Sequence, residues 1–253
     1  MPKVLTIPCN AADLQRCAQF PGGYDHRMAV DAVIFDWGGT LTPWHTIDSA
    51  ELWRLICEPH YPGDHASRAA AAHEAEIALS EIASAEQRSS TIFGVLERAG
   101  IEPTDELIAS YLREWEPHTF TDPVGADVLR QLRERGIKIG VLSNTLWPRR
   151  WHDDVFRRDG VLDLIDGAVY SSEIDWTKPH PGAFLAAMGA VGVTDPARCV
   201  FVGDRPWDDI YGAQQVGMRA VLIPHSEVPT FADATPDAVI DSLSDLIPLF
   251  ESW

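Results

Sequence analysis

Apolar residues along the chain fall into two regimes. Between residues 30 and 35, and again after residue 123, they form short unbroken runs; between 43 and 122 they are scattered among Ala and Glu. The run Val30-Asp31-Ala32-Val33-Ile34-Phe35 reads as a buried strand that ends at Asp36, before the loop Trp37-Gly38-Gly39-Thr40. Ile137-Lys138-Ile139-Gly140-Val141-Leu142 repeats the pattern, and further strands are expected at 167–170, 198–202, 219–223 and 238–240. Helical spacing predicts helices at 124–135, 181–191, 207–216 and the C-terminus. Strands alternating with helices imply a parallel sheet covered on both faces.

The middle of the chain carries no strand pattern. Helices are expected near 46–58, 64–86, 89–99 and 104–115, separated by Pro59, Pro62-Gly63, Gly100 and Pro103, with Asp64 and Thr104 as N-caps. The fold class is therefore α/β, a Rossmann-like parallel-sheet core with an inserted all-helical cap. The core is expected to comprise 29–42 and 123–253, and the cap 43–122. An insertion after the first strand stands over the carboxyl ends of the strands, where open α/β sheets bind ligands, so the cap is expected to act as a lid. Residues 1–28 show no clear period and read as a surface extension with a short helix near 11–19; Met28, directly before the first strand, is an alternative start.

Charge narrows the partners. Acidic residues outnumber basic ones 38 to 20, a formal charge of −18, which repels polyanions and argues against nucleic acid. A phosphorylated substrate would be repelled too, unless the site gathers positive charge of its own from a metal ion and a well-placed lysine. No apolar run reaches the roughly 20 residues that span a bilayer. Cys9, Cys17, Cys57 and Cys199 lack metal-ligand spacing, and reduced thiols in a cytoplasmic protein fit them best.

Four short segments place polar residues after an apolar strand or at a helix start: Asp36-Trp37-Gly38-Gly39-Thr40, Ser143-Asn144-Thr145, Thr177-Lys178-Pro179, and Gly203-Asp204-Arg205-Pro206-Trp207-Asp208-Asp209. In a parallel sheet those ends share one edge. Carboxylates, an ammonium and hydroxyls brought together there describe a metal-assisted phosphoryl site. Lys178 is one of three lysines, with Lys3 and Lys138. Asp208 is expected to face solvent.

The order and spacing of these segments resemble the haloacid dehalogenase superfamily, in the branch with a helical cap after the first strand; the likeness runs from about residue 30 to 225. The resemblance implies a hydrolase of small phosphorylated molecules that requires Mg²⁺. Asp36 would attack phosphorus and form an aspartyl-phosphate. Lys178 would balance the charge of Asp36 and the phosphoryl oxygens. The Ser143 hydroxyl and the Asn144 backbone N–H would bind the phosphoryl group. Asp204, Asp209, Asp36 and the Gly38 carbonyl would hold the metal.

Gly38 is the departure. Phosphatases of this family carry Asp there, which protonates the leaving oxygen and then activates water, and Gly can do neither. His45, at the entrance to the cap, is a candidate substitute because imidazole suits acid–base work, although a surface or capping histidine is the more ordinary reading. Two other readings stay open: a phosphate- or metabolite-binding protein that has lost catalysis, and a 2-haloacid dehalogenase. Dehalogenases of the family do not depend on Mg²⁺, so Asp204 and Asp209 count against the second. A phosphonoacetaldehyde hydrolase is excluded, because that branch uses a cap lysine and residues 43–122 contain none. Specificity is expected from the cap, with Trp44, His45, Trp53, Arg54 and Trp115 as the polar and aromatic candidates. Trp53 and Trp115 are read as packing rather than as substrate contacts.

Overall fold

The structure, a computed structural model, describes residues 30–253; the extension expected at 1–28 lies outside them. Six strands form one sheet: β1 (Ala32–Phe35), β2 (Lys138–Ser143), β3 (Gly167–Tyr170), β4 (Cys199–Gly203), β5 (Arg219–Leu222) and β6 (Ala238–Val239). Their order across the sheet is β3-β2-β1-β4-β5-β6, with every neighbouring pair parallel. Strand β1 is central, with Phe35 in register with Val141 of β2 and Val202 of β4. All of β1 is buried, which is why it reads as an unbroken apolar run. The chain winds outward from β1 in both directions. The connection therefore reverses between β1 and β4, and a crevice opens at their carboxyl ends.

The pleat divides the core. Val33 and Phe35 join Val141, Val200, Val202, Leu129 and Leu132 on one face of the sheet. Ala32 and Ile34 join Leu142, Phe201, Phe184 and Met188 on the other. Helices α5 (Pro123–Glu134), α6 (Arg149–Arg158), α7 (Pro181–Val191), α8 (Gly212–Gln215) and α9 (Leu246–Ser252) belong to this part of the chain.

Between β1 and α5 lie four further helices, here α1 (Ser49–Cys57), α2 (His65–Glu86), α3 (Ile92–Ala99) and α4 (Asp105–Trp115), close to where periodicity and breakers put them. Thr104 caps α4 by accepting the Leu107 N–H at 3.2 Å, and Asp48 caps α1 in the same way through Glu51. Asp64 stands at the N-cap of α2 but makes no capping bond. Its carboxylate is taken instead by the Arg68 guanidinium at 3.0 Å.

Helix α6 has no counterpart among the expected elements. Trp151, Val155 and the preceding Trp147 form an i, i+4, i+8 stripe that buries itself with Trp53, Ile56, Leu96 and Tyr111 of the inserted helices. Backbone hydrogen bonds fasten the two parts together as well: Ile92 N–H to the Leu146 carbonyl at 2.9 Å, and Thr177 N–H to the Gln87 carbonyl at 3.0 Å. Among the described residues no helix is long and apolar enough to cross a membrane. Cys57 and Cys199 are buried and free.

Candidate active site

The four chemistry-bearing segments meet at the carboxyl edge of β1, β2 and β4. Asp36 is the first residue beyond β1, and its N–H still donates to the Val202 carbonyl at 2.9 Å, so the Asp36 backbone is fixed by the sheet. Lys178 comes from the loop before α7. Its Nζ donates to Asp36 Oδ1 and to Asp209 Oδ1, both at 2.6 Å, and all three side chains are almost wholly buried. Burial alone would depress the Lys178 pKa, but the charges of Asp209 and Asp36 raise it above the ordinary lysine range. The ammonium therefore stays charged at any working pH.

Carboxylate outnumbers ammonium here. Oxygens of Asp36, Asp204 and Asp209 lie within 4.8 Å of one another. Asp204 accepts from the Thr40 hydroxyl at 3.3 Å through Oδ1, while its Oδ2 is buried with no hydrogen-bond partner among the described residues. Desolvation, with the charges of Asp36 and Asp209 added, pushes the Asp204 pKa up to about 8. Desolvation likewise pushes Asp209 up to about 6, against the lowering effect of Lys178. Three buried carboxylates against one ammonium leave a formal excess of negative charge, and an orphaned carboxylate oxygen at that depth is costly unless a proton or cation meets it. The donor set is all oxygen, which suits a hard divalent cation such as Mg²⁺. The residues present fit that ion.

Glycines shape the pocket by what they leave room for. A Cβ on Gly203 would overlap the Asp209 carboxylate, so Gly203 lets Asp209 fold back across the end of β4. There Asp209 Oδ2 accepts the Arg205 N–H at 2.9 Å. Gly39 has φ +82°, and a Cβ there would meet Asp204 Oδ2 at 2.9 Å and the Trp44 ring at 3.0 Å. Gly38 differs from both. Its φ of −74° and ψ of 120° suit any residue, and a Cβ there would meet nothing within 4 Å. The space of a longer side chain is open.

A cavity of about 540 Å³ spreads over this edge and is closed on its far side by the inserted helices. Asp36, Gly38, Ser143, Asn144 and Lys178 all line it. Asn144 also has a role not read from the sequence. Its side chain pairs with the Lys178 backbone, accepting from N–H at 2.7 Å and donating to the carbonyl at 3.0 Å. Asp208, expected to face solvent, lines the cavity instead, and burial raises its pKa. The turn that follows β4 carries it inward with Asp209.

On the cap side, Glu76, Ser80, Ser84, Tyr111, Trp115 and Trp147 complete the wall. Trp115 is thus a cavity residue, not packing alone. Trp53 packs in the buried cluster of the inserted helices, as expected, and donates its Nε1–H to Glu76 Oε2 at 2.8 Å. Arg54 is turned outward and paired with Glu51 and Glu58. His45 does not reach the chemistry: it is exposed and packs edge-on against His118, with ring centroids 5.1 Å apart. Trp44 stacks on His225 at 4.3 Å, outside the cavity lining.

Comparison with known proteins agrees with this geometry. The family model for haloacid dehalogenase-like hydrolases matches residues 30–217. A glyceraldehyde 3-phosphate phosphatase of Methanopyrus kandleri is 32% identical over 161 residues, covering 60% of this chain and 68% of that protein. A phosphatase of Mycobacterium tuberculosis is 29% identical over 225 residues, covering 87% and 96%. Against several other curated relatives the match spans about three fifths of their length. Among solved structures, a 2-haloacid dehalogenase from Pseudomonas syringae pv. Tomato superposes with a TM-score of 0.60 at 28% identity, covering 88% of this chain and 99% of that one. With the four motifs converging on one sheet edge and the family model spanning most of the chain, the protein belongs to the haloacid dehalogenase-like hydrolases.

Proposed function

We propose that the protein is a Mg²⁺-dependent phosphatase-like hydrolase of a small phosphorylated metabolite, using Asp36 as nucleophile and residues 43–122 as a cap over a core of 29–42 and 123–253. The observation that carries this reading is the Lys178 ammonium held at 2.6 Å from both Asp36 and Asp209, with the Asp204 Oδ2 beside them unpartnered among the described residues. Asp36, Asp204, Asp209 and the Gly38 carbonyl would hold the ion. When bound, Mg²⁺ supplies charge neutralisation for a phosphoryl group entering an acidic pocket. The phosphatase names of the Methanopyrus and Mycobacterium relatives support the same chemistry.

The Asp36 oxygen that Lys178 does not hold attacks phosphorus, forming a P–O bond as the bond to the leaving oxygen breaks. Lys178 orients the Asp36 carboxylate and offsets charge on the phosphoryl oxygens; the Ser143 hydroxyl and the Asn144 N–H donate to them. Water then cleaves the aspartyl-phosphate, releasing inorganic phosphate and restoring Asp36. Gly38 supplies no proton in either half-reaction, so the protein favours esters whose leaving group departs without one. The open space over Gly38 is also what a metabolite-binding protein without turnover would show. The free, buried thiols of Cys57 and Cys199 support the reducing cytoplasm as its location.

A phosphatase screen with and without Mg²⁺, on wild type, Asp36→Asn and Gly38→Asp, tests the assignment. Phosphate release that needs both Mg²⁺ and Asp36 is expected. Activity surviving Asp36→Asn would sink the nucleophile; an inert wild type with an active Gly38→Asp would favour the binding reading; halide release without metal would revive the dehalogenase.

A further inference from the structure

The phosphoryl end of the cavity is built by the sheet, and the opposite end is built by α2 and α4. Glu76, Ser80, Ala83 and Ser84 fall at i, i+4, i+7 and i+8 on α2 and all line the cavity, as one helical face must. That face carries one carboxylate, two hydroxyls and a methyl, and no base. Glu76 Oε2 is tethered to Trp53 at 2.8 Å, the one hydrogen bond the side chain makes among the described residues. The group is held in place and left able to pair with something else. Beside it stands an aromatic wall: Tyr111, Trp115 and Trp147 lie with ring centroids 6.1 to 6.2 Å from one another. Trp147 Nε1–H donates to the Tyr111 hydroxyl at 3.0 Å, which fixes two of the rings.

The basic groups lining the cavity are Lys178 and Arg205. Lys178 is committed to Asp36 and Asp209. Arg205 stands on the core side, where its charge acts on Asp204 and Asp208. Among the described residues no further basic group lines the cavity at the α2 and α4 end; His73, whose charge acts on Glu76, stands behind that lining and pairs with the Ser49 hydroxyl at 3.1 Å. A carboxylate together with π faces is, by contrast, the chemistry that binds organic cations. The formal charge of −18 draws cations towards the protein as well.

We propose that the organic part of the substrate carries an ammonium group, selected by Glu76 and the wall of Tyr111, Trp115 and Trp147 in preference to carboxylate-bearing esters. This deepens the phosphatase reading of the same cavity and rests on it. The volume of about 540 Å³ holds a small phosphate ester and no polymer. Specificity here has a repulsive part too, because a second carboxylate would face Glu76 across a partly desolvated space.

The test compares phosphocholine and phosphoethanolamine with phosphoglycolate and 3-phosphoglycerate, using the full chain with Mg²⁺. Wild type is expected to prefer the ammonium esters in kcat/KM by about ten-fold or more, and Glu76→Gln to shrink that ratio by about ten-fold. Gln can still accept from Trp53, and circular dichroism checks that the variant folds. Tetramethylammonium, which has no phosphate, is titrated separately against tryptophan fluorescence; saturable quenching weakened about ten-fold by Glu76→Gln is expected. If neither these alkyl esters nor p-nitrophenyl phosphate, whose leaving group needs no proton, is turned over and this quenching is present, the phosphatase reading falls and the ammonium site stands. Carboxylate esters turned over as well as ammonium esters, or quenching indifferent to Glu76, overturns the proposal.

Discussion

Asn144 holds Lys178 by its main chain, accepting the N–H at 2.7 Å and donating to the carbonyl at 3.0 Å. The residue that follows β2 thereby positions the ammonium that pairs with Asp36 beyond β1 and with Asp209 beyond β4. Asn144→Ala removes both bonds and is expected to cost about 1–3 kcal/mol in urea unfolding. Activity should fall more than that loss of stability explains, because Lys178 loses its aim at Asp36. Asn144→Asp keeps only the acceptor and should lie between the two. Activity unchanged in Asn144→Ala would refute the positioning role.

Gly38→Asp places a carboxylate in open space on a backbone that accepts it. Turnover should rise by about 10²–10⁴, the usual worth of a general acid–base. The gain should be larger for alkyl phosphates than for p-nitrophenyl phosphate, whose leaving group needs no proton. Gly39→Ala, one residue on, is the control: φ +82° and contact with Asp204 and Trp44 predict a loss of at least about 1–2 kcal/mol and no gain in rate.

These adjacent glycines show where sequence reading succeeds and stops. The strands and the four motifs were legible because buried parallel strands write themselves as unbroken apolar runs and polar residues sit where those runs end. Rotation of an isolated helix is not written that way. Glu76 is one of many Ala and Glu positions on α2, and only packing decides that it faces the cavity. Helix α6 hid behind its charged residues, Arg149, Arg150, Asp153, Asp154, Arg157 and Arg158, although the Trp151 and Val155 stripe was there to be counted. Asp208 looked like a surface residue because its neighbours are polar, and the turn after β4 aims it inward.

Metal-free protein should lose stability as pH rises. Asp204 and Asp209 have folded pKa values raised to about 8 and about 6, above the unfolded value near ~4. The folded state therefore binds more protons between about pH 4 and 8, and stability declines across that window. Melting temperature against pH, measured in chelator, should show the decline. Mg²⁺ should reverse it, and Asp204→Asn should flatten it while abolishing the Mg²⁺ response.

His152 acts in the opposite direction. It is fully buried, stacked on Tyr170 with centroids 4.1 Å apart and met edge-on by Trp37 at 4.5 Å. Desolvation, helped by Arg149, depresses its pKa to about 3. The neutral ring contributes stability that is present above the unfolded value of ~6.5 and is lost as pH falls towards 3. Unfolding followed at pH 4 and pH 7 should show His152→Phe losing less stability on acidification than wild type.

The Lys178 ion pairs join residues 142 and 31 positions apart in the chain. The Asp36 carboxylate, the ammonium that holds it and the oxygens that would take the metal come from different strands and loops. None of them can meet before β1, β2 and β4 are side by side. A growing or truncated chain ending before β4 would hold Asp36 and Lys178 but neither Asp204 nor Asp209, and so would lack two of the three carboxylates that gather at this edge. Cation affinity is thus expected to be a readout of completed topology, because its carboxylates are assembled only when β4 joins β1.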